Sequence, residues 1–212
     1  LFVKPVGGGF MVGVRGQGRR FDTRAALGSA TQIFWKHGYE GTSIAVLTKA
    51  MGITTSSLYA AFGGKRELFD SVVEHYSATD GHFTSLAFEE EKHARPLIRR
   101  LLSEAAIHYA AGSGPGGCLI VSAAVCVSDA NRDVAKPLEA HRTANIRMIK
   151  DLISIDIASG IIPSTVKASS LADFVGTVLQ GMALRGRDGA SIAELSETAT
   201  MTYVFVEQRT AL

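Results

Sequence analysis

Apolar residues recur along this 212-residue chain at intervals of three and four, and no segment sustains period-two alternation. Between Asp22 and His37, Ala26, Leu27, Ala30, Ile33 and Phe34 share one face of a helix that "HGYEG" stops. Thr42 is a natural N-cap for a short helix whose Ile44, Leu47 and Met51 fall at i, i+3 and i+7. Gly52 ends that helix as a residue free to turn left-handed, and Thr54 can cap the next, which buries Leu58 and Phe62. "GG" closes it, and a longer helix starts near Lys65 with Leu68, Phe69, Val72, Val73 and Tyr76 inward.

Beyond residue 80 the periodic segments lengthen: Arg95 to Ala111, Cys118 to Val127, Asp133 to Ala158, Val166 to Arg185 and Ile192 to Gln208. The run "CLIVSAAVCV" is apolar enough for a buried strand but sits more easily as a core helix among helices. The pattern predicts an all-α chain: a glycine-rich flexible arm at 1–20, a three-helix domain at 21–66, and a larger helical domain at 67–212. Residues 1–10, ahead of Met11, are read as either an over-long gene start or an added segment, and no role in the fold is assigned to them.

Composition changes the picture in two ways. No apolar run approaches the roughly 20 residues that cross a bilayer, and two cysteines, Cys118 and Cys126, make no disulfide framework. Both point to a cytoplasmic protein with no membrane partner. The net charge of +2 conceals an asymmetry: residues 15–66 hold eight Lys/Arg against Asp22 and Glu40, whereas residues 67–212 hold thirteen against eighteen acids. A basic head on an acidic body suits a polyanion-binding module attached to a part with another task.

The head carries the clearest motif. Two short helices joined by a three-residue turn containing glycine form a helix-turn-helix, which lays its second helix in the DNA major groove. Leu47, Met51, Ile53 and Leu58 supply the apolar contacts between the helices. The second helix opens on "TTSSLY", short donors and acceptors with almost no charge, which is what close approach to base edges requires. Amides at that helix start also attract phosphate. Lys65 opposes the macrodipole at the start of its own helix, a placement that makes sense if that end faces an anion.

"TSIAVLTKAMGITTSSLYAAFGGKRELF", with "GRRFDTRAALGSATQIFWKHGYEGTS" ahead of it, resembles the signature of TetR/AcrR-type bacterial transcriptional regulators over about residues 19–70. The resemblance implies a two-domain, all-helical homodimer that represses transcription and leaves its DNA operator when a small ligand binds. By that resemblance Thr42, Tyr59 and Lys65 contact phosphate, Thr54, Thr55, Ser56 and Ser57 approach bases, and Arg19 and Arg20 lie along the backbone or in the minor groove. It also implies a dimer seam formed by the last two helices, about 166–208. There the small residues Ala172, Gly176, Gly181 and Ala183 would face a partner stripe of Leu195, Ala199, Thr202 and Val206. Three departures stand out. Thr48 replaces the usual alanine, Ala60 and Ala61 remove two common polar contacts, and Gly63-Gly64 replaces a proline- or aspartate-bearing turn.

No catalytic constellation emerges, so an all-helical enzyme is the weaker reading. The six histidines lack zinc-ligand spacing, "GGGF" and "GPGG" lack the Lys-Ser/Thr of a phosphate-binding loop, and no G-x-S-x-G occurs. No cofactor is expected, and the Glu89–Glu91 run reads as a solvated face. The apolar C-terminal region predicts a small-molecule pocket with His108, Tyr109, Cys118, His141 and Gln180 as candidate polar contacts. Cys118 follows a glycine turn at an expected helix start, where amides lower a thiol pKa. A thiol-based redox or electrophile sensor using Cys118 is therefore the alternative to an apolar effector.

Overall fold

Asp22 starts the first helix, its carboxylate accepting the amides of Arg24 and Ala25 at 2.9 and 3.2 Å. From there the computed structural model describes residues 21–110 and 114–211, and every regular element among them is helical. The order is α1 (Thr23–His37), α2 (Ile44–Met51), α3 (Thr55–Phe62), α4 (Lys65–Ala78), α5 (His82–Glu90) and α6 (Ala94–Tyr109). It continues with α7 (Leu119–Ser122), a 3-10 turn (Asp129–Asn131), α8 (Arg132–Ala158), α9 (Ala168–Arg187) and α10 (Ile192–Thr210). The all-α expectation holds. The expected arm at 1–20, with Arg19 and Arg20, lies outside the described residues.

The first four helices close on one aromatic cluster. Phe34 and Tyr39 both meet the Phe69 ring edge-on, at 5.0 and 5.1 Å, and Leu47, Leu58, Leu68 and Val72 are wholly buried around them. Gly52 takes φ 66°, the left-handed stop expected of it, and Thr54 caps α3 by accepting the amide of Ser57. Thr42 corrects the sequence reading: it is only 1% exposed and donates its hydroxyl to Gly38 O at 2.6 Å. Ser43 caps α2 instead, accepting from Val46 N. Thr42 sits inside because the bend after α1 leaves the Gly38 carbonyl in need of a donor.

The body departs from expectation at three places. First, α5 was not legible, and Glu90 and Glu91 are not a free solvated face. Both pair with Arg100 of α6, at 2.7 and 3.4 Å.

Second, 118–127 is not one helix. It runs for a single turn and then opens, with Val125 62% exposed and Cys126 exposed. Bonds to the head replace the helical ladder. Tyr39 N–H donates to Ala123 O at 2.7 Å. Glu40 accepts from Ser128 N and Oγ and from Asn131 Nδ2 at 2.7–3.0 Å.

Third, Ala172, Gly176 and Ala183 pack within the chain, where an added Cβ at Gly176 would strike Ile146 of α8. Leu195, Ala199, Thr202 and Val206 are likewise buried in the chain's own core. The outward apolar residues of α9 and α10 are Phe174, Leu184, Ile192, Met201, Val204 and Phe205.

The tightest packing joins the turn before α7 to the end of α9. Gly116 and Gly117 adopt φ of 74° and 71° and lie against the backbone of Ala183 and Gly186, so closely that no side chain fits between. An added Cβ at Gly186 would fall 2.0 Å from Tyr109 O and 3.2 Å from Gly117 N. Backbone cannot yield as a flexible side chain can, so Gly186→Ala is expected to lower unfolding free energy by about 1–3 kcal/mol. Gly181→Ala, with open space around it, is expected to leave denaturant midpoints unchanged or slightly raised.

Candidate functional site

The start of α3 projects from the head with its polar groups outward. Thr54 Oγ1 is a hub, 2.9 Å from both Ser56 Oγ and Ser57 Oγ. Thr55 and Ser56 are exposed and Ser57 is half-buried, while Leu58 on the opposite face is sealed in the core. The first turn therefore presents hydroxyls and a Thr methyl on a rigid helix held by one apolar anchor. Tyr59 is 52% exposed although it adjoins the buried Leu58. Ala60 and Ala61 beside it are exposed as well and add no polar group.

The charges around this helix divide into used and unused. Arg66 is engaged by Asp70 and Asp133, so it contributes nothing outward despite its share in the basic head. Lys65 lies 4.1 Å over the Tyr39 ring, where desolvation lowers its pKa and the nearby Glu40 charge partly restores it. Gly64 precedes it in extended conformation and gives α4 no side-chain cap. The start of α4 thus has no side-chain cap and carries the Lys65 ammonium, with Tyr59 beside Gly64 and the Glu67 carboxylate folded back toward Gly63 and Gly64. Lys36 and Lys49 are exposed on the same domain.

In the body, α4 to α9 line a cavity of about 760 Å³ that is open to solvent on one side. Its apolar lining includes Phe83, Phe88, Leu101, Ile120, Ile146, Ile149 and Leu179. Of the predicted polar contacts, Tyr109, Cys118, His141 and Gln180 line it. His108 does not: its exposed ring stacks on Phe83 from behind, centroids 4.5 Å apart. Tyr76, Arg142 and Asn145 also line the cavity and were missed. Asn145, four residues past His141, shares its helix face and could have been found from the helical period, whereas the adjacent Arg142 could not.

Cys118 is 7% exposed, and burial raises its thiol pKa. Hydrogen bonds from the Tyr76 and Tyr109 hydroxyls and from the α7 amides oppose that rise without overcoming it. The depressed pKa expected of a helix start is therefore not found. Cys126 lies apart on the exposed segment after α7, so the two thiols share no helix face.

The cavity and the head meet at α7. Cys118, Ile120 and Val121 line the cavity, while Ala123 O holds the Tyr39 amide. Arg187, at the end of α9, spans the same junction. Its Nη1 donates to Trp35 O and Ser122 Oγ at 2.8 and 3.1 Å, and its Nη2 donates to Lys36 O at 2.7 Å.

A helix-turn-helix head bonded to a cavity-bearing helical body defines a class of DNA-binding transcriptional regulator. The family profile described as "Bacterial regulatory proteins, tetR family" matches residues 26–72. The chain is 31% identical over 189 residues to the HTH-type transcriptional repressor ComR of Escherichia coli K12, covering 89% of this chain and 90% of that protein. It is 29% identical to the repressor BdcR of the same organism, over 89% of this chain and 90% of that one. Among solved structures, a cysteine mutant of the TetR family regulator CifR, complexed with 26-bp operator DNA, is 33% identical. It superposes with a TM-score of 0.82 over 89% of this chain and 98% of its own. The chain belongs to the TetR family of bacterial regulatory proteins.

Glu40 supplies a pH handle on the junction. Its bonds from Ser128 and Asn131 lower its pKa from 4.5 to about 2. A carboxyl depressed on folding stabilises fully above its unfolded pKa and loses that contribution as pH falls through the folded value. Wild type is therefore expected to melt above Glu40→Gln at neutral pH, and the gap should close between about pH 4.5 and 2. A gap that stays constant over that window in thermal melts by circular dichroism would show that Glu40 does not hold the junction.

Proposed function

We propose that this chain is a cytoplasmic homodimeric repressor that binds a pseudo-palindromic operator and leaves it when a small, largely apolar molecule fills the cavity. The carrying observation is that one short segment, 118–124, both walls the cavity and holds the head. A ligand that displaces it must act on the orientation of α1 and hence of α3. Such a ligand releases DNA only to the extent that it favours the arrangement with misplaced recognition helices. ComR and BdcR are named as repressors, and the CifR mutant is bound to operator DNA, which supports the same assignment here.

In this reading the head is 21–66 and the effector and dimerisation body is 67–212, with α4 running across their boundary. Thr55 and Ser56 read bases, Thr54 and Ser57 complete the polar turn, and Tyr59, Lys65 and Ser43, rather than Thr42, meet phosphate. Arg19 and Arg20 keep the backbone or minor-groove role their sequence position suggests. The dimer forms through α9 and α10, whose exposed Phe174 and Phe205 rings pair at 4.9 Å and stand ready to be covered. No catalytic role is assigned to any residue. Burial of Cys118, its raised pKa and its separation from Cys126 favour reversible occupancy over thiol oxidation.

The test is selection from random duplex DNA followed by salt-dependent binding. Wild type is expected to select an inverted repeat whose half-sites are about one helical turn apart. Lys65→Ala should weaken binding evenly across sequences and flatten the log–log salt slope by about 1 per protomer. Thr55→Ala or Ser56→Ala should instead shift the preferred base at one half-site position, with a penalty of about 1–3 kcal/mol. No enrichment over random duplex would end the sequence-specific reading.

A further inference from the structure

Four charged or titratable side chains other than the tyrosines and Cys118 line the cavity: Glu89, Lys92, His141 and Arg142. Glu89 and Lys92 are exposed neighbours of opposite formal charge at the cavity edge, and Lys92 Nζ donates to the Glu89 backbone carbonyl at 2.5 Å. His141 is exposed. Arg142 differs. It is half-buried, and its Nη1 donates to Ile120 O at 2.7 Å. Among the described residues no carboxylate lies within 4 Å of it, whereas Arg66 has two carboxylate partners and Arg100 three. A guanidinium carries five N–H donors in a flat fork and stays charged at all accessible pH values. A half-buried positive charge with free donors and no carboxylate partner among the described residues therefore stands in the cavity wall, beside the apolar side chains.

We propose that Arg142 receives the carboxylate of an amphipathic effector, a monocarboxylic acid whose alkyl or aromatic body lies against Phe83, Phe88, Leu101, Ile149 and Leu179. This rests on the reading of the cavity as the effector site. A half-buried cation without a carboxylate partner matches a single negative charge, and the planar fork matches a carboxylate in bidentate geometry. Asn145, one turn along α8 from Arg142, and Gln180 of α9 line the same cavity and add amide donors. The same residue gives the ligand its leverage. The Arg142–Ile120 bond ties α8 to α7, so a carboxylate that draws the guanidinium away loosens the segment whose next residues hold Tyr39 and meet Arg187.

Trp35, the chain's one tryptophan, sits edge-on to Tyr76 of the cavity wall at 5.0 Å, so its fluorescence reports occupancy. The experiment titrates the full-length dimer with decanoate and with 1-decanol, which share a chain and differ in head charge. Operator release is followed in parallel. Decanoate is expected to bind at least about tenfold more tightly at pH 7, to release operator at correspondingly lower concentration, and to lose that advantage in Arg142→Met, which should still bind decanol. Equal or weaker binding of decanoate by wild type overturns the proposal, whether or not the variant folds. So does a decanoate preference that survives in Arg142→Met. Binding of decanol alone would leave the cavity as an effector site and remove only the carboxylate. Failure of both to bind or to release operator would overturn the proposal and count against the cavity reading as well.

Discussion

The orientation of the head depends on a few hydrogen bonds to the carbonyl and amide groups at the end of α1. A helix leaves its last carbonyls without partners inside itself. Here Trp35 O and Lys36 O are taken by Arg187, and the amide of Tyr39 is taken by Ala123 O. These groups are chemically obliged to find partners, and the partners come from α9 and from the segment after α7. The head is thus fixed to the body by bonds that cannot be given up cheaply, one of which rests on the C-cap of a helix of only four residues. Where the cavity wall is this four-residue helix, a small displacement passes to the head more readily than through the long packed helices that form the rest of the wall.

The surrounding sequence is arranged to keep that junction close. Gly116, Gly117 and Gly186 bring the turn before α7 into backbone contact with α9, which places Arg187 within reach of both α1 and Ser122. Glu40 reaches in the other direction, to Ser128 and Asn131, and Arg66 joins α4 to Asp133 at the start of α8. Each link is polar and partly solvated, so each contributes modestly to stability while fixing geometry. The apolar core of the head, by contrast, is continuous with the body through Tyr76, which touches Trp35 on one side and lines the cavity on the other.

Much of this was legible in the sequence because the head obeys local rules. Helical spacing, Gly52 as a left-handed stop, Thr54 as a cap and the polar start of α3 are each set within a few residues, and the structure keeps them. Thr42 was misread because Ser43 is an equally good cap, and only the three-dimensional bend after α1 decides between them. The 118–127 segment was misread because its helical pattern is real but is overridden by bonds to residues about eighty positions earlier, which no window along the chain contains. The small-residue stripe of α9 was visible, but small residues mark close packing without saying against what. Most of it faces α8 and the glycine turn, and the exposed rings of Phe174 and Phe205 take the outward role. In the cavity, Tyr109, Cys118, His141 and Gln180 were anticipated; Asn145 follows from the helical phase of His141 and was passed over, and Arg142 enters the wall only through the packing of α8 against α7.

The central claim is that the α7–Arg187 junction sets how the head meets DNA. Arg187→Met keeps an aliphatic side chain in place while removing the three donated hydrogen bonds. The direct measurement is the affinity of this variant for the selected operator, by fluorescence anisotropy at fixed salt, alongside its melting temperature and dimer mass. The account expects a folded dimer whose operator affinity falls by about tenfold or more, because DNA binding must then order a loosened head. A folded dimer that binds operator as tightly as wild type would contradict it.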